Sequence, residues 1–198
     1  PQTGKELFYK NDGTADARQT TTNVSEANKT IVGKHDAKVE GGLTNNLKWK
    51  WFDLGFTFTY SLGGDAFDYA TWQHSDGGTY LYNGAVPAYY TLEDMWTGPG
   101  DTSAKLPAFQ YGNNSQSMSS RWLMSTDYLR LKNLQFGYTL PKSLLSNWGV
   151  ENVRFYYSVE NLFTIDNMKI SIDPEATSQR LSSYPLLRTH AFGVNITF

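Results

Sequence analysis

The chain ends on ten residues, T-H-A-F-G-V-N-I-T-F, in which apolar side chains alternate strictly with small or polar ones. The apolar members of this alternation are Phe192, Val194, Ile196 and Phe198. A period of two is the repeat of a β-strand, because successive side chains point to opposite faces. A strand with one apolar and one polar face that ends on an aromatic residue is typical of the strand that closes a transmembrane β-barrel, where the apolar face contacts lipid. The pattern therefore predicts an all-β chain in a bacterial outer membrane.

The composition excludes several classes of protein but is compatible with a β-barrel. None of the 198 residues is a cysteine, which excludes disulfides and thiolate zinc sites, and a formal net charge of -2 gives no general attraction to nucleic acid. No apolar run approaches the ~18 residues that a membrane helix needs. A mean hydropathy of -0.50 is compatible with a barrel, since alternation dilutes the average. The aromatic share of 15% suits interfacial girdles or sugar-binding surfaces.

Other segments alternate in the same way as the terminal one. The clearest covers residues 52–60, whose apolar face consists of Phe52, Leu54, Phe56, Phe58 and Tyr60. At ~3.4 Å per residue this stripe is about 27 Å long, which at a ~45° tilt covers most of the ~25 Å apolar band of an outer-membrane barrel. Residues 128–140 and 151–162 predict two more strands, and residues 39–48 predict a weaker one. The apolar parity changes within 128–140, which indicates a β-bulge near Asn133.

The five predicted strands are joined by connections that are alternately short and long. We divide the chain into strand hairpins at 39–61 and 128–162, a closing strand at 188–198, and outer loops at 1–38, 62–127 and 163–187. A structureless stretch as long as 62–127 is uncommon in a compact soluble domain. Outer-membrane barrels, in contrast, combine short periplasmic turns with long extracellular loops. This rhythm predicts an antiparallel barrel segment with its long loops outside the cell.

Residues 128–163 read Y-L-R-L-K-N-L-Q-F-G-Y-T-L-P, a short turn, and then V-R-F-Y-Y-S-V-E-N-L-F. This strand-turn-strand resembles the C-terminal region of SusC/RagA-type TonB-dependent outer-membrane transporters of the Bacteroides group. Four further segments match in the expected order: G-G-L-T-N-N-L-K-W-K-W-F-D-L at 41–54, the stretch 94–98 around Trp96, D-P-E at 173–175, and the aromatic terminus. The resemblance runs from about residue 30 to residue 198.

The resemblance implies a 22-stranded barrel, plugged by an N-terminal domain, that imports glycans, peptides or similar nutrients with energy delivered through TonB. It also implies a SusD-like surface lipoprotein that covers the barrel as a lid. The chain lacks the plug and the TonB-contacting segment, so we interpret it as the C-terminal portion of a transporter. An open five-stranded sheet has two unpaired edges, and the isolated portion is therefore not expected to transport anything.

The two faces of the predicted strands differ in what they are expected to contact. The lipid-facing set is Phe52, Leu54, Phe56, Phe58, Phe136, Phe155, Phe192, Val194 and Ile196. The lumen-facing set, which we expect to meet water, plug or cargo, is Asp53, Arg154, Tyr156 and Glu160. By analogy with the family, the signal for barrel insertion comprises Phe192, Gly193, Ile196 and Phe198.

Aromatic residues of the loops are the best candidates for contact with a ligand or with the lid. These residues are Trp72, Tyr80, Tyr82, Tyr89, Tyr90 and Trp96. Sugar rings stack their C–H groups on aromatic faces, and loops carry a large share of binding residues. The competing interpretation is that these rings pack the loop against itself or against the lipoprotein.

No motif in the sequence indicates catalysis or a metal centre. Carboxylates that could offer oxygen ligands to calcium are Asp65, Asp68, Asp76, Asp173 and Glu175, but no spacing matches an EF-hand, and solvated loop residues are the favoured interpretation. The histidines are scattered, and no G-x-S-x-G elbow occurs. We therefore predict no enzymatic activity, no cofactor and no metal.

A soluble carbohydrate-binding β-sandwich is the main alternative. It accounts for the aromatic residues and the strand count, but not for the wide apolar faces or the aromatic last residue. A sandwich also needs turn signals every 8–12 residues, which residues 62–127 do not provide. A porin-like barrel without energy coupling is a weaker alternative that only the missing N-terminal half would decide.

Overall fold

The computed structural model describes residues 2–10, 19–69, 72, 92–108, 117–146, 149–168, 173–176 and 186–198. The strands within these ranges are β1 (Phe8–Tyr9), β2 (Thr20–Thr21), β3 (Val39–Trp49), β4 (Phe52–Leu62), β5 (Asp65–Phe67), β6 (Leu123–Ser125), β7 (Tyr128–Thr139), β8 (Asn152–Asp166) and β9 (Thr189–Thr197). A short α-helix of four residues, Lys142–Leu145, follows β7. Short 3-10 turns lie at Val24–Glu26, Leu92–Asp94, Ser120–Trp122 and Pro174–Ala176. None of the helices in these ranges is both long and apolar enough to cross a membrane.

The chain divides into two compact units, which we describe separately. The first, called the sheet unit, is drawn from His35–Asp65, Ser125–Thr177 and Ser183–Phe198. The second, called the loop unit, is drawn from Pro1–Lys34, Ala66–Met124 and Ser178–Ser182.

The sheet unit is built on five long antiparallel strands in the order β3-β4-β7-β8-β9. The hairpin between β3 and β4 turns within two residues, where Lys50 adopts a left-handed backbone conformation with φ 54°. Helical turn Lys142–Leu145 lies in the connection between β7 and β8, directly after Pro141, which cannot donate a ladder hydrogen bond. The all-β antiparallel fold predicted from the alternation is confirmed.

The register places the apolar positions of all five strands on one face. One row across the sheet runs through Leu47, Leu54, Phe136, Tyr157 and Phe192, each the partner of the next. Rings on this face contact one another between strands: the ring centroids of Phe52 and Tyr138 lie 4.9 Å apart, and those of Tyr157 and Phe192 lie 4.7 Å apart. Such cross-strand pairs are the unit in which a sheet is stabilised.

The apolar face leaves large aromatic side chains exposed, and contiguous exposed apolar surface of this kind marks an interaction or membrane site. Phe136, Phe155 and Phe192 are 44%, 46% and 82% exposed. All nine residues predicted to face lipid have the parity of this face: Phe52, Leu54, Phe56, Phe58, Phe136, Phe155, Phe192, Val194 and Ile196. Their contact with lipid itself stays a prediction.

A bulge at Lys132 keeps the two faces distinct along the whole of β7. Thr57 pairs with Asn133 and Phe58 pairs with Leu131, so Lys132 is the extra residue relative to β4. The register of β8 against β7 shifts at the same place. Because one residue is inserted, Leu129 and Leu131 return to the apolar face in spite of their odd numbers. The irregularity predicted near Asn133 lies one residue before it.

The loop unit has a small core of its own. Trp122 is almost completely buried, and Leu106, Ala108, Ala66 and Met124 are also buried. Within it β1 pairs with β2, and an isolated parallel bridge joins Met95 to Leu106. Residues 62–127, which we predicted as one long loop, therefore contain short strands and 3-10 turns in their described parts. Strands of three residues are too short to give a readable period.

Deletion of Lys132 should disrupt the sheet, because it moves Leu129 and Leu131 to the polar face and brings Tyr128 and Arg130 to the apolar one. We expect little folded protein, measured by the heat-dependent shift in gel mobility of the receptor in detergent. Lys132→Ala keeps the residue count and should fold normally, since this side chain is 52% exposed. Equal folding of the deletion and the substitution would contradict the role given to the bulge.

Candidate functional site

The polar face of the sheet unit collects the ionisable side chains that strand parity assigned to the lumen. A second row across the five strands runs through Lys48, Asp53, Gly137, Tyr156 and Gly193, each the partner of the next. Arg154, also on β8, lies beside this row. Glu160 has the same parity but is farther along β8, opposite Asn133 and Thr189. The structure thus brings three of the four predicted residues together and leaves Glu160 apart.

Asp53 and Arg154 form a two-point ion pair that spans the intervening strand β7. Arg154 Nε donates to Asp53 Oδ1 at 3.0 Å, and Arg154 Nη2 donates to Asp53 Oδ2 at 2.5 Å. The Arg154 side chain is 22% exposed and the Asp53 side chain is 31% exposed. Gly137 lies directly beneath the pair, and a Cβ at this position would collide with both the carboxylate and the guanidinium. The glycine is therefore what lets the two charges meet across a strand.

Tyr156 lies over a second glycine in the same row. A Cβ at Gly193 would collide with the Tyr156 ring, so this ring covers the backbone of β9. An aromatic side chain that covers a strand glycine is a known means of shielding its exposed backbone. The Arg154 guanidinium carbon is 5.5 Å from the centroid of the Tyr156 ring, within cation-π range. Together these groups form a wall of side chains that lie along the sheet.

A buried arginine forms the most extensive polar cluster among the described residues, and our sequence analysis missed it. Arg130 of β7 is 1% exposed. Its Nη2 donates to both carboxylate oxygens of Asp173 at 2.7 Å, and its Nη1 donates to Glu175 Oε2 at 2.9 Å. Its Nε donates to Thr164 Oγ1 at 3.0 Å. The Tyr128 hydroxyl donates to the other oxygen of Glu175 at 3.0 Å.

This cluster changes the interpretation of the D-P-E motif at 173–175. We expected its carboxylates to be solvated, but the Asp173 side chain is only 8% exposed and both of its oxygens accept from Arg130. The same bonds occupy the groups that calcium would need. Among the residues that the structure describes, no group of three or more His, Cys, Asp or Glu is arranged to hold a metal ion. The available signals were an arginine on the polar side of its strand and, separately, the D-P-E sequence. Their contact could not be read from local pattern, because it joins residues more than forty positions apart.

Two of the six aromatic candidates, Trp72 and Trp96, lie among the described residues, and both contact other residues of the loop unit. Trp72 packs against Phe67 and Tyr69, with ring centroids 5.9 Å and 5.0 Å away. The Trp96 ring lies against Gly4, which has a φ of 64°. The other candidates, Tyr80, Tyr82, Tyr89 and Tyr90, lie outside the described residues. Ligand or lid contact by any of the six stays a prediction.

The loop unit contains an open groove with a volume of about 710 Å³. Its lining is mostly apolar, with Phe8, Tyr9 and Phe67 among the residues, and it also includes Glu6 and Arg121. These two form a salt bridge, and burial raises the pKa of Glu6 although Arg121 opposes the rise. A concave surface that combines apolar side chains with fixed polar groups is a candidate contact site for a ligand.

The terminal strand β9 forms one edge of the sheet, and the residues proposed as an insertion signal lie on or beside it. Phe192 and Ile196 lie on the apolar face, Gly193 lies on the polar face, and Phe198 is 86% exposed. Their role in insertion stays a prediction.

Comparison with known proteins identifies TonB-dependent receptors as relatives of this chain. The chain is 31% identical to TonB-dependent receptor P3 of Formosa agariphila over 208 aligned positions, which cover 98% of this chain and 19% of that receptor. It is 26% identical to the TonB-dependent receptor SusC of Bacteroides thetaiotaomicron, over 88% of this chain and 16% of SusC. No family model matches the sequence. The chain thus spans less than a fifth of the length of each of these relatives.

A solved structure of the RagAB peptide transporter has the same fold. It superimposes with a TM-score of 0.79 at 27% identity, and the match covers 100% of this chain and 21% of the transporter chain. A separate structure of RagAB in a closed-closed state gives a TM-score of 0.77. Both the sequence and the fold therefore point to one group of receptors.

Gly137→Ala should weaken the sheet by displacing the Asp53–Arg154 pair. We expect a loss of about 1 kcal/mol in the free energy of unfolding, the usual size for a partly exposed ion pair, measured by urea titration in detergent. Asp53→Ala should cost a similar amount, and the double variant should cost less than the sum, because both changes remove the same interaction. Gly98→Ala is the control, since no atom lies within 4 Å of a Cβ there. Full additivity would contradict this account.

Proposed function

Since the chain is a portion of a SusC/RagA-type TonB-dependent receptor, we propose that it forms barrel wall and outer loops of a nutrient importer in the bacterial outer membrane. The observation that carries the proposal is the division of one five-stranded sheet into a wide, exposed apolar face and a polar face that bears ion pairs. Lipid on one side and an aqueous interior on the other account for both faces.

The apolar face supports the membrane location over a soluble sandwich. Full burial of a Phe, Leu or Ile side chain is favourable by about 1.5–3 kcal/mol relative to exposure. A sandwich would gain this energy by packing a second sheet on the face, but Phe192, Phe155 and Ile196 remain largely exposed. Contact with hydrocarbon supplies the same gain without a second sheet. The carbohydrate-binding sandwich is therefore not favoured.

The polar face supports a role as the inner wall of the barrel. Charged side chains are acceptable there because the interior of such barrels is polar. Asp53, Arg154 and Tyr156 would face the plug or the water around it, and the outer end of the face, with Arg130, would border the chamber that receives cargo. These residues would shape the passage and take no part in covalent chemistry.

The edges of the sheet define what the remainder of the receptor must provide. Strands β3 and β9 each have a neighbour on one side only within the five-stranded sheet. An unpaired backbone group costs several kcal/mol in hydrocarbon, so both edges would pair with other strands of the same receptor. The plug and the contact with TonB would also come from that remainder.

The cargo and the lid are proposed from the relatives. RagAB is a peptide transporter. The feature of this chain that would suit a sugar cargo is the group of aromatic residues in its loops. We propose that the cargo is a peptide or a glycan, that a SusD-like lipoprotein covers the chamber, and that the groove of the loop unit contributes to one of these contacts.

Phe56→Arg should prevent stable insertion, because position 56 is central on β4 and faces lipid. Arginine at the middle of the bilayer costs about 2–4 kcal/mol in a barrel. We expect a marked fall in folded receptor in the outer membrane, measured by immunoblotting of membrane fractions. Thr57→Arg is the matched control, since the neighbouring residue faces the interior and should be tolerated. Equal loss in both variants would contradict the assignment of faces.

Uptake should depend on the full-length receptor that contains this portion. We expect cells that lack the receptor gene to lose import of either fluorescent oligopeptides or fluorescent oligosaccharides, and complementation to restore it only when TonB is present. A lipoprotein should co-purify with the receptor in detergent. Uptake that is unchanged by the deletion, for both cargo classes, would reject the importer function.

A further inference from the structure

We propose that Arg130 is a positioning residue that clamps the D-P-E segment, residues 173–175, to the polar face of the sheet unit and so anchors the connection between β8 and β9 at this segment. The proposal relies on the importer function in one respect only: that this loop borders the path of the cargo. Its physical part concerns contacts within the sheet unit alone.

All three nitrogens of the Arg130 guanidinium donate hydrogen bonds, to a residue of β8 and to the D-P-E segment. Thr164, its register partner on β8, accepts from Nε at 3.0 Å and orients the side chain. Asp173 and Glu175 take the other two nitrogens at 2.7 Å and 2.9 Å. Tyr128 contributes its ring at 5.5 Å from the guanidinium carbon. The planar fork thus joins two strands to a segment that belongs to neither.

The D-P-E segment has a conformation that presents both carboxylates in one direction. The backbone N–H of Glu175 donates to Asp173 Oδ1 at 2.8 Å, and a 3-10 turn covers Pro174–Ala176. Proline fixes its own φ, so the turn loses little additional freedom when it binds. The two acidic side chains therefore act together as one ligand for the arginine.

The negative charges of Asp173 and Glu175 make the position of this segment depend on the positive charge of Arg130. Asp173 is nearly buried, and a buried carboxylate is unfavourable unless it is paired and hydrogen-bonded. Among the described residues, Lys132 is a second cation near this segment, but its Nζ is 4.0 Å from Glu175 Oε1 and its side chain is half-exposed. Without Arg130 the two carboxylates would face each other with little compensation. We expect the segment to leave the face.

Hydrogen exchange of the full-length receptor in detergent tests the clamp directly. In Arg130→Gln, the peptide that contains Glu175 should exchange at least about tenfold faster than in the wild type, because several charge-assisted hydrogen bonds are lost. Arg130→Lys keeps the charge but not the fork, and should give an intermediate rate. Arg154→Gln breaks the other two-point arginine pair of the same face and should leave exchange at 173–176 unchanged.

A second variant protects the test against misfolding of Arg130→Gln. Asp173→Asn leaves Arg130, Glu175 and Thr164 in place, and it should still raise exchange at 173–176 while the heat-dependent gel shift reports a folded barrel. Unchanged exchange in both variants, or an equal rise in Arg154→Gln, would overturn the proposal. Loss of the importer function would be seen separately, as absence of uptake by the wild-type receptor.

Discussion

The pairing of backbone groups between strands is the constraint on which the rest of this structure depends. Each strand of the sheet unit satisfies its N–H and C=O groups by pairing with its neighbours, and the register of that pairing decides which side chains share a face. Apolar residues then line up across five strands on one side, and polar residues line up on the other. The bulge at Lys132 shows how strict the requirement is, because a single extra residue restores the faces where the numbering alone would exchange them.

On the polar face, charged side chains lie along the surface of the sheet and contact one another. Asp53 and Arg154 meet over Gly137, and Tyr156 lies over Gly193, so small residues make room for long side chains that run along the sheet. Arg130 draws a segment of the following loop onto the same face. Arg154 and Arg130 each donate from two or more nitrogens, which fixes the geometry of the contact more firmly than a lysine would. The result is a wall on which both arginines are held by carboxylates.

Local pattern predicted most of the sheet and little of the polar cluster. Alternation identified the strands around Phe56, Phe136 and Phe155, and the parity break near Asn133 indicated the bulge, because these features depend on neighbouring residues. Arg130 and Trp122 were missed, since burial of an arginine by a distant D-P-E motif, or of one tryptophan in a small loop core, depends on contacts between remote segments. Asp53 and Arg154 were placed on the right face, but their contact required knowledge of which strands are neighbours.

The bulge at Lys132 also limits how strands of this kind can change in length over evolution. Addition or loss of one residue in β7 exchanges the two solvents seen by every side chain beyond that point, whereas a change of two residues leaves them as they were. Homologous strands should therefore differ in length by even numbers of residues, and insertions or deletions of odd numbers of residues should be confined to bulges and loops. We therefore expect related strands to keep one extra residue at the position of Lys132, because its loss would exchange the two faces of the strand.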